Sequence, residues 1–323
     1  MLAYIIRRLL LLIPTILGIM LFTFTLFTLV AKDPARQYAG KHATPEALAS
    51  VRHKMGIDKP IWLNFAEFGR THQFSDLIYA QFPDVLLFRF PESLQYEESV
   101  WSLFKRKAPI SLVIQLPVFV ISMGLTLVFA LVAARFRGGP ADWAMTVGSI
   151  LLMSVSAVSV YLVAQWLLGA KLRLFPVAGW DTGLYALHYA ALPVLVSIFS
   201  GLGGGVRFYR TVALEEVNAD YVRTGRSKGV GEGDLLLTHV FRNMLIPVIT
   251  NTVTSIPALV MGALILEQTF QIPGLGNLLD QAVVNNDRPV VMFLVYINSV
   301  LFCLALLVND ICYALADPRV VLR

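Results

Sequence analysis

Residues 110 to 134 read ISLVIQLPVFVISMGLTLVFALVAA, twenty-five consecutive positions without an Asp, Glu, Lys, Arg or His. A helix needs roughly 20 mainly apolar residues to cross a hydrocarbon core of ~30 Å. This stretch therefore predicts a membrane crossing. Working outward from it, five more stretches have the same character: Leu9 to Val30, Trp143 to Leu168, Tyr185 to Tyr209, Met244 to Leu266 and Val290 to Ala314. Pro193 and the glycines Gly201 to Gly205 interrupt the fourth crossing, and Pro247 and Pro257 the fifth. Membrane helices accept such residues where neighbours resatisfy the backbone. The expected fold class is an all-α integral membrane protein with six transmembrane helices.

Composition points the same way. Of 323 residues 57% are hydrophobic and 15% charged, with a mean hydropathy of +0.68, whereas an ordinary soluble domain carries about 25% charge. The net charge of +5 comes with no basic stripe interleaved with aromatics, so nucleic acid is not an expected partner. The basic surplus orients the protein in lipid instead. Twelve Lys and Arg fall on one side: Arg7 and Arg8, Arg135 and Arg137, six between Arg207 and Arg242, then Arg319 and Arg323. Lys171, Arg173 and Arg288 are the three in the short loops of the other side. Both termini are thus expected to be cytoplasmic. The first apolar block follows Arg7 and Arg8 as a signal peptide would, but it is too long for an h-region and no small-residue cleavage site follows, so a retained anchor is expected. Cys303 and Cys312 lie nine residues apart, ~13 Å along a helix at ~1.5 Å per residue, and cannot bridge within it.

The sequence divides into 1–30, a cytoplasmic tip and first crossing; 31–108, an outer subdomain; and 109–323, a five-helix core that includes a cytoplasmic loop at 207–243. In the outer segment Thr44-Pro45-Glu46 reads as N-cap, first helical position and first-turn acid. Leu48, Val51 and Met55 give one apolar face, His53 and Lys54 suit the last turn, and Gly56 provides a stop. Trp62, Phe65, Phe68, Phe74, Tyr79, Phe82, Phe88 and Phe90 follow, with Pro83 and Pro91 as breakers. This is the composition of a folded unit on the membrane surface, either purely structural or in contact with a solute-delivering partner.

Several chemistries are absent from the pattern. No ionisable residue occupies the middle of a crossing, where pumps and ion-coupled transporters place them. Gln115, Gln165, Asn251 and Asn298 are the polar groups at depth, suited to interhelical hydrogen bonds, while Glu267, Asp310 and His188 sit at crossing ends. Gly40-Lys41 is followed by His42 and preceded by Ala35 where a phosphate loop needs glycine. Gly201 to Gly205 reads as a close-packing face, and Gly229 to Gly233 as loop. Ser149, Ser154, Ser156 and Ser159 read as small residues at helix interfaces. No catalytic residue, metal site or cofactor is expected.

The most informative segment is Leu214 to Pro247, LEEVNADYVRTGRSKGVGEGDLLLTHVFRNMLIP. Leu214, Val217 and Tyr221 at i, i+3 and i+7 predict one apolar stripe on a short helix. Its other faces carry Glu215, Glu216, Asp220, Arg223, Arg226 and Lys228, and Gly229 marks the C-terminal stop. Interfacial helices favour Lys and Arg on the polar face. Mixed charge around an apolar stripe suits a protein groove better.

This segment resembles the EAA motif of ABC importer permeases. Glu215, Asp220, Tyr221, Val222, Arg223, Thr224, Arg226, Lys228 and Gly229 match it, and Gly225 and Ser227 replace its usual alanines. Gly225 is expected to soften the helix by roughly 1 kcal/mol relative to Ala. The resemblance, to the B-type permease subunit of dipeptide and oligopeptide importers, extends to Tyr4-Ile-Ile-Arg-Arg-Leu9, Pro14 and Thr15, and Gly56-Ile-Asp-Lys-Pro60. It continues in Glu267 with Phe270, Pro273-Gly-Leu-Gly276, Asn309-Asp310, Tyr313 and Asp317-Pro-Arg319. Ala31-Lys-Asp-Pro34 departs from the family's Pro-Gly-Asp-Pro.

The resemblance implies the six-helix ABC permease fold in a bacterial inner membrane. It implies a second homologous permease forming a heterodimer, two cytosolic ATPase subunits that hydrolyse ATP, and a periplasmic or lipid-anchored solute-binding protein. The helix around Glu215 to Gly229 then docks on an ATPase. Pro273, Gly274 and Gly276 introduce a short outer helix near the pathway, whose backbone amides Glu267 either caps or leaves in order to pair with Arg288. Related subunits are associated with peptides, nickel and sugars. A non-transporting scaffold or a channel subunit is the rival class.

Overall fold

A computed structural model describes residues 2–30, 35, 44–54, 57–71, 73, 79–93, 95–183 and 185–316. Met55, Gly56, Phe74, the segments 31–34 and 40–42 and the motif 317–319 lie outside the described residues. The chain is helical: α1 (Leu2–Thr25) runs on as a π-helical turn (Leu26–Val30), followed by α2 (Pro45–Lys54), α3 (Phe65–Thr71), α4 (Gln81–Leu86) and α5 (Val100–Arg135). Next come α6 (Pro140–Ser154), α7 (Ala157–Ala164) with the π-helical Gln165–Lys171, α8 (Tyr185–Val217) and α9 (Asp220–Ser227). Glu232–Asp234 and the π-helical Leu235–Val240 lead into α10 (Phe241–Met261), then α11 (Leu264–Thr269), α12 (Leu275–Val284) and α13 (Arg288–Ala316).

Among the described residues five helical stretches are long and apolar enough to cross a membrane, and a sixth results if α6 and α7 count as one broken crossing. That pair lies over the expected crossing Trp143–Leu168, and its two halves meet at 88°. Val155 (φ −98°, ψ 131°) and Ser156 (φ −62°, ψ 135°) are extended, which ends one hydrogen-bond ladder and starts another. The run LLMSVSAVSV has neither Gly nor Pro to announce the break. Its only signals are serines that compete for backbone partners and β-branched valines, and Ser154 does donate to the Ile150 carbonyl (2.8 Å). The fifth crossing is likewise interrupted, where Gly262 ends α10 at φ +75°.

The chain forms two compact units. One gathers Met1–Lys107 with Leu278–Leu307, the other Ala108–Asn277 with Val308–Leu322.

The first unit is held by aromatic packing. Met20 and Phe24 of α1, Val85 of α4 and Met292 and Tyr296 of α13 form its buried cluster. Phe24 meets Trp62 and Phe82 at 5.6 and 5.2 Å, and Phe293 meets Phe90 and Trp101 at 5.4 and 4.9 Å. Such tilted and edge-on pairs each add about 0.5–1.5 kcal/mol beyond area burial. The Tyr296 hydroxyl donates to the Met20 carbonyl (3.1 Å), fastening α13 to α1. At α2 the expected cap is present: Thr44 Oγ1 accepts from the Ala47 amide (3.3 Å), and Leu48 and Val51 turn inward. Ser93 donates to Asp287, a wholly buried carboxyl that burial pushes above its ordinary range.

In the second unit α8 is the central helix. An added Cβ at Gly203 would meet the Ser149 carbonyl oxygen of α6 at 2.8 Å, and one at Gly205 would meet Thr126 of α5 at 2.8 Å. The close-packing face is therefore Gly203 and Gly205. At Gly201, the expected first member, an added Cβ would meet nothing within 4 Å. Of the four serines only Ser149 is buried; Ser154, Ser156 and Ser159 are exposed. Gln165 donates to the carbonyls of Val177 and Thr269, both at 3.0 Å, and Asn251 to the Tyr209 hydroxyl at 3.1 Å.

A bidentate ion pair between residues 68 apart in sequence also ties α6 to α8. Arg210 reaches Asp142 at 2.6 and 2.9 Å, and Asp142 accepts from the Gly138 amide at 3.0 Å. Asp142 is nearly buried, so removing its carboxylate strands a guanidinium in a poorly solvated place. Asp142→Ala is expected to destabilise by about 3 kcal/mol, read as a lowered melting temperature in detergent. Asp142→Ala/Arg210→Met should recover most of that loss, and no recovery would refute the pairing as its cause.

Candidate functional site

The segment after α8 builds a short charged helix on an apolar seat. α8 ends at Val217, where the Asn218 side chain donates to the Leu214 carbonyl (2.7 Å) and so competes with the helix ladder. Ala219 is extended (φ −66°, ψ 151°) and α9 starts at Asp220. Asp220 in its first turn and Arg226 in its last suit the helix dipole. Gly229 closes it at φ +78°, a conformation that favours glycine, with its amide on Arg226 and that of Val230 on Gly225.

The break at 218–219 corrects the predicted stripe. Leu214 and Val217 end one helix while Tyr221 lies on the next, and the buried residue of α9 is Val222, 1% exposed. Val222 joins Val217, Leu235, Leu236, Val240 and Met244 in a cluster with Ala130, Ala134, Tyr209 and Ala213. Gly225 also has a second role. A Cβ there would lie 2.5 Å from the Leu235 side chain, itself fully buried, so this glycine lets α9 sit close on Leu235 as well as softening the helix. Tyr221 is 38% exposed and its hydroxyl donates to Glu216 (2.5 Å). Partial burial and the Glu216 carboxylate push its hydroxyl up to about 12.

The opposite side of α9 faces outward. Asp220 and Arg223, 3.5 Å apart, have side chains 97% and 72% exposed. Arg226 forks onto Glu232 at 2.7 and 3.2 Å, and Thr224 donates to the Asp220 carbonyl at 2.9 Å. Thus α9 brings together Asp220, Tyr221, Arg223, Thr224, Gly225 and Arg226, with Lys228 as its C-cap. Glu215 is left on α8, across the turn.

Glu267 occupies a second built site. It is 1% exposed. Its carboxylate accepts from the Ser111 hydroxyl (2.7 Å) and from the Asn277 amide (3.0 Å), while Ser111 accepts from the Leu275 amide (2.8 Å). Of the two roles left open, capping the first amides of α12 is the one with this geometry. A Cβ at Gly262 would fall 2.0 Å from Glu267 Oε1, and one at Gly274 would fall 2.5 Å from both Glu267 Oε2 and Ser111 Oγ. A Cβ at Gly276 would fall 2.7 Å from the backbone nitrogen of Leu264. Sequence reasoning missed Ser111, which sits unmarked in an apolar run. Thr250 and Tyr313 join hydroxyl to hydroxyl near the end of α13.

Residues 126–322 match the family model for the binding-protein-dependent transport system inner membrane component. The chain belongs to that family. Its first 115 residues match the N-terminal model of the same systems' membrane components. Among curated relatives of these inner membrane components, a putative peptide transport system permease protein of Brucella suis is 32% identical over 326 residues, covering 99% of each chain. The dipeptide transport system permease protein of Lactococcus lactis and the oligopeptide transport system permease protein of Bacillus subtilis are each 27% identical, again over 99% of both chains. The chain is thus a multi-pass transport permease component rather than an enzyme.

Proposed function

We propose that this permease is one half of an ATP-driven peptide importer, and that α9 is the helix through which separate cytosolic ATPase subunits move it. The observation that carries the reading is the two-sidedness of α9: an unburied set of alternating charges outside, and Val222 and Gly225 locked onto a buried cluster inside. A ridge of opposite charges gains little from solvent-exposed pairing within itself. It gains much more when matched by complementary charges in a desolvated groove. Because Val222 lies in one buried cluster with Val217 of α8 and Met244 of α10, force applied to α9 passes to those two helices as packing. The breaks at Asn218-Ala219 and Gly262 are the places where they can turn.

In this reading a second, homologous permease completes a heterodimer, two ATPases engage the two loops, and a periplasmic or lipid-anchored binding protein delivers solute. The termini and the loop 207–243 face the cytoplasm, as the distribution of Lys and Arg supports. The segment 31–108 faces outward, and the Glu267 site with Pro273, Gly274 and Gly276 braces the outer end of the pathway. Peptides are the solute class named for all three relatives.

The test is reconstitution of the chain with its neighbouring permease, ATPases and binding protein in lipid vesicles. ATP-dependent accumulation of a labelled dipeptide, with the ATPases co-purifying with this chain, is the expected result. Failure of the ATPases to co-purify, with no ATP-dependent uptake, would overturn the reading.

A further inference from the structure

The second unit holds a cavity of about 300 Å³ between α5, α8 and α10, at the small end of ligand-sized pockets (~300–1,000 Å³). Its polar lining comes from Gln115, Ser122 and Thr126 of α5, Tyr209 of α8, and Asn251 and Ser255 of α10. The spacing i, i+7, i+11 on α5 and i, i+4 on α10 puts each set on one helix face. Another face of α5 is different: Leu116, Val120 and Val128 are exposed and apolar, as lipid contact requires. Packing accounts for part of the polar face, since Asn251 donates to the Tyr209 hydroxyl (3.1 Å) and Ser255 to the Asn251 carbonyl (2.6 Å), but not for Ser122. Ser122 Oγ is buried and makes no hydrogen bond among the described residues, and burying an unpaired hydroxyl costs about 1–3 kcal/mol. No Asp, Glu, Lys, Arg or His is among the residues lining the cavity.

We infer that this face forms a neutral amide-binding passage for peptide backbone. The inference rests on the peptide-importer reading above. Hydroxyls and carboxamides both donate and accept, which matches the alternating N–H and C=O of a peptide and is indifferent to its side chains. Lacking a fixed charge, the wall holds no ionised side chain tightly in a low-dielectric setting where such attraction is strong. Passage needs contacts favourable enough to admit the solute and weak enough to release it. Between the polar groups the wall is apolar, which accommodates aliphatic and aromatic side chains.

The reconstituted complex tests this with Ser255→Asp and Ser255→Lys. Uptake of trialanine, Ala-Glu-Ala and Ala-Lys-Ala is measured for each. Ser255→Asp should slow Ala-Glu-Ala by about tenfold relative to trialanine and Ser255→Lys should slow Ala-Lys-Ala similarly, since like charges repel strongly at such depth. Equal factors for all three peptides would overturn the proposal. A milder pair covers misfolding: Gln115→Cys and Ser255→Cys, made with Cys303 and Cys312 replaced by Ser. Both should react with a water-soluble methanethiosulfonate reagent and lose uptake on labelling, whereas Val128→Cys keeps its uptake. Unreactive thiols at both cavity positions would also overturn it. If the unaltered complex imports no peptide, the peptide-importer reading fails, and the labelling still decides whether the cavity is an aqueous passage.

Discussion

Asp220→Arg and Arg223→Glu should each lower ATP-dependent uptake by about a hundredfold or more, while the variant inserts, folds and melts as the parent does. The asymmetry follows from where the two charges stand. Their mutual contact is an exposed pair within one helix, 3.5 Å apart, of a kind that contributes about 0–1 kcal/mol. An arginine in the first turn of α9 loses a further ~0.3–1 kcal/mol of dipole interaction. Neither effect unfolds a helix whose place is fixed by Val222 and the seat at Gly225. Reversing a charge that faces an ATPase groove is a different matter, because mispaired charges at a desolvated interface cost about 2–5 kcal/mol. The double reversal Asp220→Arg/Arg223→Glu separates the two sources. It restores the pair and the net charge of α9 yet presents the wrong pattern to the partner, so uptake should stay low. Normal uptake in either single variant, or recovery in the double one, would remove α9 from the coupling path.

The sequence announced the membrane class through uncharged runs of crossing length, and it announced α9 through turn chemistry and charge spacing around Asp220 to Gly229. What it left unread has identifiable causes. The 88° bend at Val155-Ser156 occurs without Gly or Pro, so its signal is no stronger than that of any serine in a helix. Leu214, Val217 and Tyr221 keep helical spacing across a turn that Asn218 introduces, so they read as one apolar stripe though they lie on two helices. Spacing alone cannot show that the ladder stops there. The ion pair of Asp142 and Arg210, and the contact of Ser111 with Glu267 across 156 residues, depend on which helices lie side by side. A single apolar helix does not encode its neighbours; the small residues do so only collectively, as the displacement of the packing face from Gly201 to Gly203 and Gly205 shows.

Gly262→Ala is expected to destabilise the protein by about 4–5 kcal/mol. Two contributions add. A residue with a side chain at φ +75°, ψ −176° is in a region essentially reserved for glycine and is strained by about 1–3 kcal/mol. Its Cβ would also occupy a point 2.0 Å from Glu267 Oε1, forcing the carboxylate off Ser111. That movement strands a buried carboxylate and the amides of α12 it caps, at about 1–3 kcal/mol per unsatisfied group. Gly274→Ala carries only the second contribution, since its Cβ meets Glu267 Oε2 and Ser111 Oγ on an otherwise ordinary backbone, and should lose about 2–3 kcal/mol. Residues sharing one site do not add independently, which gives the decisive comparison. With Glu267→Ala and Ser111→Ala already present, the atoms in the way of Gly274→Ala are gone and the extra methyl should be nearly neutral. Gly262→Ala in the same background should retain its backbone strain. Melting temperature and the folded fraction recovered in detergent report both, and uptake per folded molecule should stay unchanged if the site is a brace. Additive losses in the doubly substituted background, or parental stability of Gly262→Ala, would show that the carboxylate is not what those glycines make room for.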